Sequence, residues 1–180
     1  YTLCAGNKDN HILTIGEQSF TIESPSSGIA TNAALAIVAA RLLGIAEADI
    51  RERIESWRPS GHRGRTQMAG CQTFYIDCYN ANPSSMTDAL DAFDRSTGED
   101  TDRYYILGVM NELGEVALDY HENVGKHLLL RPQDRVAFVG PELLTRAYES
   151  GALKAGAHSE QVQRVAVSYT HLRAHETDLN

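Results

Sequence analysis

The feature that most constrains the fold is the alternation of short apolar runs with helical patterns in the second half of the chain. Thr73–Asp77, Tyr104–Leu107 and Val136–Val139 are β-branched and aromatic runs, as is typical of buried strands. Helical periodicity follows each run, from residue 83, over residues 116–130 and from residue 141. This repetition predicts βαβ units, and therefore an α/β, Rossmann-like fold with a parallel-rich sheet and flanking helices. The apolar positions expected to face the core are Met86, Ala89, Leu90 and Phe93 in the first helix and Val116, Tyr120, Val124 and Leu128 in the second.

The first part of the chain has a different pattern. Residues 12–23 predict two short strands around a glycine-containing turn, and helices are expected over Ala30–Leu43 and Glu47–Trp57. Gly44 is expected to end the first helix. The residues expected to point inward are Ala34, Ile37, Val38 and Leu42 in the first helix and Ile50, Ile54 and Trp57 in the second.

A segment without large apolar residues separates the two parts. Residues 58–67 read RPSGHRGRTQ, with two glycines, one proline and three arginines, a composition that favours a domain linker. We therefore predict that residues 1–58 finish one domain, residues 59–66 form a linker, and residues 67–167 form a second domain. The chain starts at Tyr1, so we expect it to be cut from a longer protein. Residues 168–180 resemble a translated adapter sequence and are interpreted as a non-native tail.

Composition excludes several classes of protein. The formal net charge of -8 argues against a nucleic-acid partner, and no apolar run approaches the roughly 20 residues of a membrane span. The three cysteines are an odd number without metal-like spacing, which favours a cytoplasmic protein over a disulfide framework. His171 and His175 lie four residues apart, but we assign no metal site to them.

The segment richest in chemistry lies where a predicted strand meets a helix. Residues 77–86 read DCYNANPSSM, and ligands of open α/β sheets bind at such strand ends. Asp77 can accept a hydrogen bond from a ribose hydroxyl, and Asn80 and Asn82 offer both donors and acceptors. Asn82 and Pro83 suit the N-cap and first position of a helix. A capped turn without function is the alternative interpretation.

This block resembles the signature of the Mur ligases, in particular the branch that adds D-alanyl-D-alanine. Residues 106–114 read ILGVMNELG, followed by His121, Val124 and Gly125, and are similar to a second family segment. Residues 31–34, TNAA, resemble a helix at the end of the family's central ATPase domain. The resemblance covers residues 12–155 and identifies the chain as a carboxy-terminal fragment of a family member.

The resemblance implies an ATP-dependent amide-bond ligase of peptidoglycan precursor synthesis that uses Mg²⁺. It joins D-alanyl-D-alanine to UDP-N-acetylmuramoyl-tripeptide through an acyl phosphate, as a cytoplasmic monomer. Asn32 matches the asparagine near adenine, Arg63 the linker arginine that reaches the ATP phosphates, and Asp77 the acid near the ribose and hinge. Tyr79, Asn80 and Asn82 match a loop that faces the substrates. Arg65 is the alternative to Arg63.

The chain also departs from the family pattern. Ser27-Gly28 stands where the family has His-Asn, and Val109 replaces a loop aspartate. The phosphate-binding loop is absent from the sequence, so we expect the fragment alone to be inactive and assign it no catalytic residue and no metal ligand. The alternatives are another Mur ligase, a folylpolyglutamate synthetase relative, or a non-catalytic nucleotide- or peptide-binding α/β domain.

Several conspicuous side chains are interpreted as structural. His121 lies mid-helix, where packing or a local hydrogen bond is commoner than catalysis. Trp57, Tyr104 and Tyr105 are expected in the core, and Cys78 as a small buried apolar residue.

Overall fold

The computed structural model describes residues 1–167, which form two compact units. Unit 1 comprises Tyr1–Asn80 and Ser84–Thr101, and unit 2 comprises Ala81–Pro83 and the chain from Asp102 onward. The helix that follows the DCYNANPSSM block therefore groups almost entirely with the amino-terminal part. The boundaries expected from the sequence, at residues 58 and 67, remain a prediction.

Unit 1 begins with an antiparallel sheet of three strands, β1 (Thr2–Ala5), β2 (His11–Ile15) and β3 (Gln18–Ile22). Helices α1 (Ser27–Leu42) and α2 (Glu47–Ser56) follow. The pair of strands predicted for residues 12–23 is confirmed. The core of this part is formed by Leu13, Phe20, Ile22, Ala30, Ala34, Ile37 and Ile50.

The end of α1 agrees with its sequence. Gly44 adopts a φ of 75°, its N–H donates to the Arg41 carbonyl, and the Ile45 N–H donates to the Ala40 carbonyl. These are the two hydrogen bonds of a Schellman motif, which favours glycine at this position because of the positive φ.

The prediction of which helix residues face the core of unit 1 is partly wrong. Val38 and Leu42 of α1 are 45% and 84% exposed, and Trp57 is 42% exposed. Helix α2 ends at Ser56, and Trp57 has extended backbone angles, so the helical period that predicted its burial no longer applies there.

A hairpin follows, made of β4 (Arg65–Ala69) and β5 (Gln72–Ile76). Gly70, at a φ of 62°, supplies the left-handed conformation that a two-residue turn needs. The prediction of a buried strand at residues 73–77 is wrong, because β5 pairs antiparallel with β4 and its residues are exposed or half-buried. Cys78 is exposed, because the strand ends at Ile76 and its alternation of faces ends with it.

Helix α3 (Pro83–Ser96) starts at the proline, as predicted. Leu90 is buried, and Met86, Ala89 and Phe93 are half-buried. Phe93 contacts Tyr75 of β5, with the ring centroids 6.3 Å apart, so the predicted apolar face of this helix is largely confirmed.

Unit 2 is a parallel three-stranded sheet with helices, in the order β6 (Tyr104–Gly108), α4 (Ala117–His127), β7 (Arg135–Val139), α5 (Glu142–Lys154) and β8 (Val162–Val165). Short 3₁₀ turns at Gly114–Val116 and Ser159–Gln161 precede α4 and β8. Both strand pairings are parallel. The predicted α/β fold with a parallel sheet is confirmed in this unit.

The predicted inner face of α4 is confirmed at Val124 and Leu128, which are 1% and 2% exposed, and wrong at Val116 and Tyr120. Val116 and Tyr120 are 49% and 40% exposed, whereas His121, Val124 and Gly125 are buried. Helices α4 and α5 cross closely where an ideal Cβ on Gly125 would lie 2.1 Å from the Tyr148 carbonyl oxygen. The face with the glycine therefore meets α5, and the bulkier face does not.

The aromatic pair that begins β6 divides between the two faces of its strand. Tyr105 is 5% exposed, whereas Tyr104 is 68% exposed. The prediction that both are core residues is right for Tyr105 and wrong for Tyr104, because successive strand residues point to opposite faces.

Candidate functional site

The candidate site is built where the linker segment runs beside the end of β5. The β4–β5 register pairs Arg65 with Ile76, and beyond it the Cys78 N–H donates to the His62 carbonyl at 2.8 Å. Pairing therefore continues past the hairpin. It brings Arg63 and Gly64 alongside Asp77 and Cys78, two segments that the sequence separates by a whole hairpin.

Arg63 and Tyr79 lie against each other. The Arg63 Cζ lies 3.8 Å from the centroid of the Tyr79 ring, a cation–π contact. Arg63 is exposed, as is Tyr79 at 68%, so the ring supports one side of the guanidinium while the rest of the side chain meets solvent. An exposed guanidinium fork suits phosphate or carboxylate oxygens.

Asp77 is the carboxylate of this cluster. Partial loss of solvent raises its pKa above the usual value, and repulsion from Asp88 acts in the same direction. A hydrogen bond from the Gly64 N–H and the positive charge of Arg63 oppose that rise. Asp77 thus lies near one cation and one further carboxylate, and burial has the largest effect on its pKa.

Gly64 is a requirement of the packing here. Its φ is 61°, and an ideal Cβ would lie 3.2 Å from both Ile29 Cδ1 and the Tyr75 hydroxyl. A larger residue would be strained by its backbone conformation and would press on α1 and β5. This glycine therefore keeps the linker close to the amino-terminal end of α1.

Asp88 of α3 is a residue that the sequence did not indicate. Its carboxylate accepts hydrogen bonds from Ser26 Oγ at 2.5 Å, Ser27 Oγ at 2.7 Å and the Gly28 N–H at 3.1 Å. Burial raises its pKa, but these donors outweigh burial and hold the pKa below the usual value. The sequence contained one indirect sign of this contact. The first turn of α1 has no acidic residue of its own, so a carboxylate at this amino terminus has to come from another part of the chain.

The other predicted site residues are dispersed. Asn32 is exposed in the second turn of α1, and Asn80 is exposed in the segment between β5 and α3. Asn82, also exposed, belongs to unit 2. The structure therefore brings together Arg63, Asp77 and Tyr79.

His121 is a structural residue, as predicted. It is fully buried, its Nε2 accepts a hydrogen bond from the Met110 N–H at 3.0 Å, and its Nδ1 lies 2.6 Å from the Ala117 carbonyl. This pattern requires the neutral imidazole with its proton on Nδ1. Burial lowers the pKa of His121, which favours that form.

Residues 1–167 are the part of the chain to which the next two observations apply. No helix there is both long and apolar enough to cross a bilayer. In the same residues, no group of three or more His, Cys, Asp or Glu side chains could hold a metal ion. His171 and His175 lie outside the described residues.

Residues 64–179 match the family described as "Mur ligase, glutamate ligase domain". The chain belongs to the Mur ligase family. The matched range includes the Asp77–Met86 block and extends into residues 168–179, which were interpreted from the sequence as a non-native tail.

The chain is also similar in sequence to a curated ligase. This Mur ligase chain is 33% identical over 123 residues to the UDP-N-acetylmuramoyl-tripeptide--D-alanyl-D-alanine ligase of Treponema pallidum (strain Nichols). The match covers 67% of this chain and 26% of the relative. The chain thus spans about a quarter of the length of that protein.

Solved structures of Mur ligases share the fold. A MurF structure from Acinetobacter baumannii matches 89% of this chain and 34% of its own, with a TM-score of 0.72 and 24% identity. MurF from Thermotoga maritima in complex with ADP matches 92% of this chain and 42% of its own, with a TM-score of 0.65 and 18% identity. MurC from the same organism matches 89% of this chain and 35% of its own, with a TM-score of 0.63 and 16% identity. At these identities the likeness shows the fold alone.

Proposed function

We propose that this chain is part of an ATP-dependent ligase that joins D-alanyl-D-alanine to UDP-N-acetylmuramoyl-tripeptide in peptidoglycan precursor synthesis. The observation that carries the proposal is the exposed Arg63 guanidinium that lies over the Tyr79 ring and near Asp77, at the block that resembles this branch of the family. The relative from Treponema pallidum, whose name states this reaction, supports the choice of branch.

Each candidate residue has a proposed role. Arg63 binds the phosphate groups of ATP, because its planar fork is exposed and held on one side by a ring. Asp77 lies beside Arg63 and accepts from a ribose hydroxyl, and Asn32 contacts adenine. Tyr79, Asn80 and Asn82 are assigned to the path of the incoming substrate, because their block resembles the family signature and all three side chains are exposed.

The proposed reaction has two steps. A carboxylate oxygen of the tripeptide attacks the γ-phosphorus of ATP, so that an acyl phosphate forms and ADP leaves. The amine of D-alanyl-D-alanine then attacks the acyl carbon, a C–N bond forms, and phosphate leaves with the electron pair of the C–O bond. In this scheme Arg63 stabilises negative charge on the phosphate oxygens. Magnesium would stabilise the same charge in the full enzyme, with ligands outside the described residues.

The proposal includes the organisation of the enzyme. Residues 1–58 are the end of a central ATP-binding domain, residues 59–66 a linker, and residues 67–167 most of a carboxy-terminal domain. The enzyme is proposed to be a cytoplasmic monomer, with free exposed thiols at Cys4, Cys71 and Cys78 consistent with a reducing compartment. Because the sequence contains no phosphate-binding loop, the chain alone is expected to lack ligase activity.

The experiment is a substrate-omission assay on the longest reading frame that contains this chain. We expect phosphate release from ATP to require both UDP-N-acetylmuramoyl-tripeptide and D-alanyl-D-alanine. Release with a single amino acid in place of the dipeptide would assign the chain to another branch of the family. Absence of release with any acceptor would contradict the proposal, and release by the 180-residue chain alone would contradict its expected inactivity.

A further inference from the structure

The amino-terminal end of α1 receives its negative charge from another helix. Ser26 is the N-cap, and its Oγ accepts from the Ile29 N–H at 2.9 Å while donating to Asp88. Ser27 Oγ and the Gly28 N–H complete the contact with the same carboxylate. A carboxylate at a helix amino terminus satisfies donors that otherwise lack partners and is favoured by the helix dipole.

Helix α3 has a second attachment at its other end. Arg95 Nη1 lies 2.7 Å from His11 Nε2, while His11 Nδ1 lies 2.9 Å from the Ser24 carbonyl. The carbonyl can only accept, so Nδ1 donates to it and Nε2 accepts from the guanidinium. His11 is 3% exposed, so this contact is largely shielded from water.

These two attachments hold the segments of the candidate site in one body. Helix α1 carries Asn32, and the segment that leads into α3 carries Asp77 and Tyr79. Asp88 lies one helical turn beyond the start of α3 and is close enough to Asp77 to repel its charge. A helix that is fixed to α1 at this point also limits the movement of the segment in front of it.

We propose that Asp88 is a positioning residue, which fastens α3 to the amino terminus of α1 so that Asn32, Arg63 and Asp77 keep a fixed geometry for the nucleotide. The role in nucleotide binding rests on the proposed function. The fastening itself rests only on the hydrogen bonds to Ser26, Ser27 and Gly28. Asp88 touches no substrate in this account and acts through the segments that it holds.

The glycine at position 28 is part of the same arrangement. An ideal Cβ on Gly28 would lie 3.0 Å from Asp88 Oδ2 and 3.4 Å from its Cγ. A side chain there would therefore press on the carboxylate. This closeness also offers a direct test, because sulfur atoms in place of the Asp88 carboxylate and on residue 28 would lie near bonding distance.

The first experiment tests the fastening without any activity. In a background of Cys4→Ser, Cys71→Ser and Cys78→Ser, the pair Gly28→Cys and Asp88→Cys is oxidised and the cross-link is measured by mass spectrometry. We expect a cross-link in most molecules. The matched pair Gly28→Cys and Ser84→Cys, with Ser84 exposed one turn earlier on α3, should cross-link at least about fivefold less. Equal yields in the two pairs, both folded by circular dichroism, would overturn the fastening.

The second experiment tests positioning in the full-length ligase. Asp88→Asn should raise KM for ATP about tenfold, as expected when hydrogen bonds to a charged group are weakened, with kcat and KM for D-alanyl-D-alanine changed less than twofold. Asp91→Asn removes the same charge from an exposed position of α3 and should leave all three parameters unchanged. Oxidation of the Gly28→Cys and Asp88→Cys pair should return KM for ATP toward the wild-type value.

The outcomes separate the two proposals. If Asp88→Asn lowers kcat and raises both KM values alike, or if Asp91→Asn has the same effect, Asp88 is merely structural and the positioning role is wrong. If the wild-type full-length protein shows no ligase activity, the proposed function fails. The cross-linking result then decides the fastening by itself.

Discussion

The Arg103–Asp134 pair of unit 2 and the candidate site of unit 1 differ in how far their charged groups are exposed. In unit 2, Asp134 is fully buried and accepts from Arg103 Nε at 3.0 Å and Nη2 at 2.5 Å, and Arg103 is itself 6% exposed. In unit 1, the Arg63, Asp77 and Tyr79 side chains are all exposed. The buried Arg103–Asp134 pair is closed to a ligand, whereas the exposed charges of Arg63 and Asp77 are available to one.

The difference in surroundings explains this division. Burial alone would raise the pKa of Asp134, but hydrogen bonds from Arg103 and Arg131 hold it below the usual value. Opposing effects act on the pKa of Asp77, and there loss of solvent prevails and the pKa is raised. We therefore expect changes to the buried polar residues of unit 2 to affect stability, and changes to the candidate site in unit 1 to affect nucleotide binding.

The largest effect is expected from breaking the buried pair of unit 2. Asp134→Ala leaves Arg103 buried without its partner, which should lower the free energy of unfolding by about 3–5 kcal/mol. Urea unfolding followed by circular dichroism measures the change. The control is Glu55→Ala, which removes the half-exposed Arg51–Glu55 pair of unit 1 and should cost no more than about 0.5 kcal/mol. Similar losses of unfolding free energy in the two variants would show that burial does not distinguish the two ion pairs.

The next effect concerns the crossing of α4 and α5. An ideal Cβ on Gly151 would lie 2.0 Å from the Glu122 carbonyl oxygen, so Gly151→Ala must push two helix backbones apart. We expect a loss of about 1–3 kcal/mol in the free energy of unfolding. Gly108→Ala is the matched control, because nothing lies within 4 Å of its ideal Cβ. A loss as large at Gly108 would show that the close crossing is not the cause.

A smaller effect should follow from pH through His121. The folded state lowers the pKa of this imidazole, so the unfolded chain binds the proton first as pH falls below about 6.5. The contribution of His121 to stability is therefore complete above that pH and declines below it, by at most about 1.4 kcal/mol per pH unit. The urea concentration at the midpoint of unfolding, determined between pH 7.5 and pH 5, measures this decline. His121→Gln should flatten this decline, and an unchanged slope would contradict the assignment.

The sequence predicted the elements that depend on local chemistry. Helix α3 begins at Pro83 because proline suits the first turn of a helix, and Gly44 follows α1 because a positive φ is needed there. The parallel pairing of β6 and β7 followed from the strand–helix repeat. In the candidate site, Asp77 was indicated by its position at a strand end, whereas Arg63 and Tyr79 were indicated by the resemblance to the family.

What the sequence missed depends on contacts between distant residues. Asp88 meets Ser26 across 62 positions, and no local pattern marks such a pair. On α4, Val124 and Leu128 were correctly predicted to be buried, but the close contact at Gly125 was missed, because small residues leave no apolar signal. The β4–β5 hairpin was missed because its residues are largely exposed, so its strands show no alternation of burial.

The most direct test of the central claim compares two arginines of the linker segment. Arg63→Ala and Arg65→Ala both remove an exposed charge, so each should change the free energy of unfolding by less than about 0.5 kcal/mol. In the full-length ligase, Arg63→Ala should raise KM for ATP by at least about tenfold, as expected for loss of a charged hydrogen bond, while Arg65→Ala leaves it within twofold. An unchanged KM in Arg63→Ala, or a larger rise in Arg65→Ala, would contradict the account.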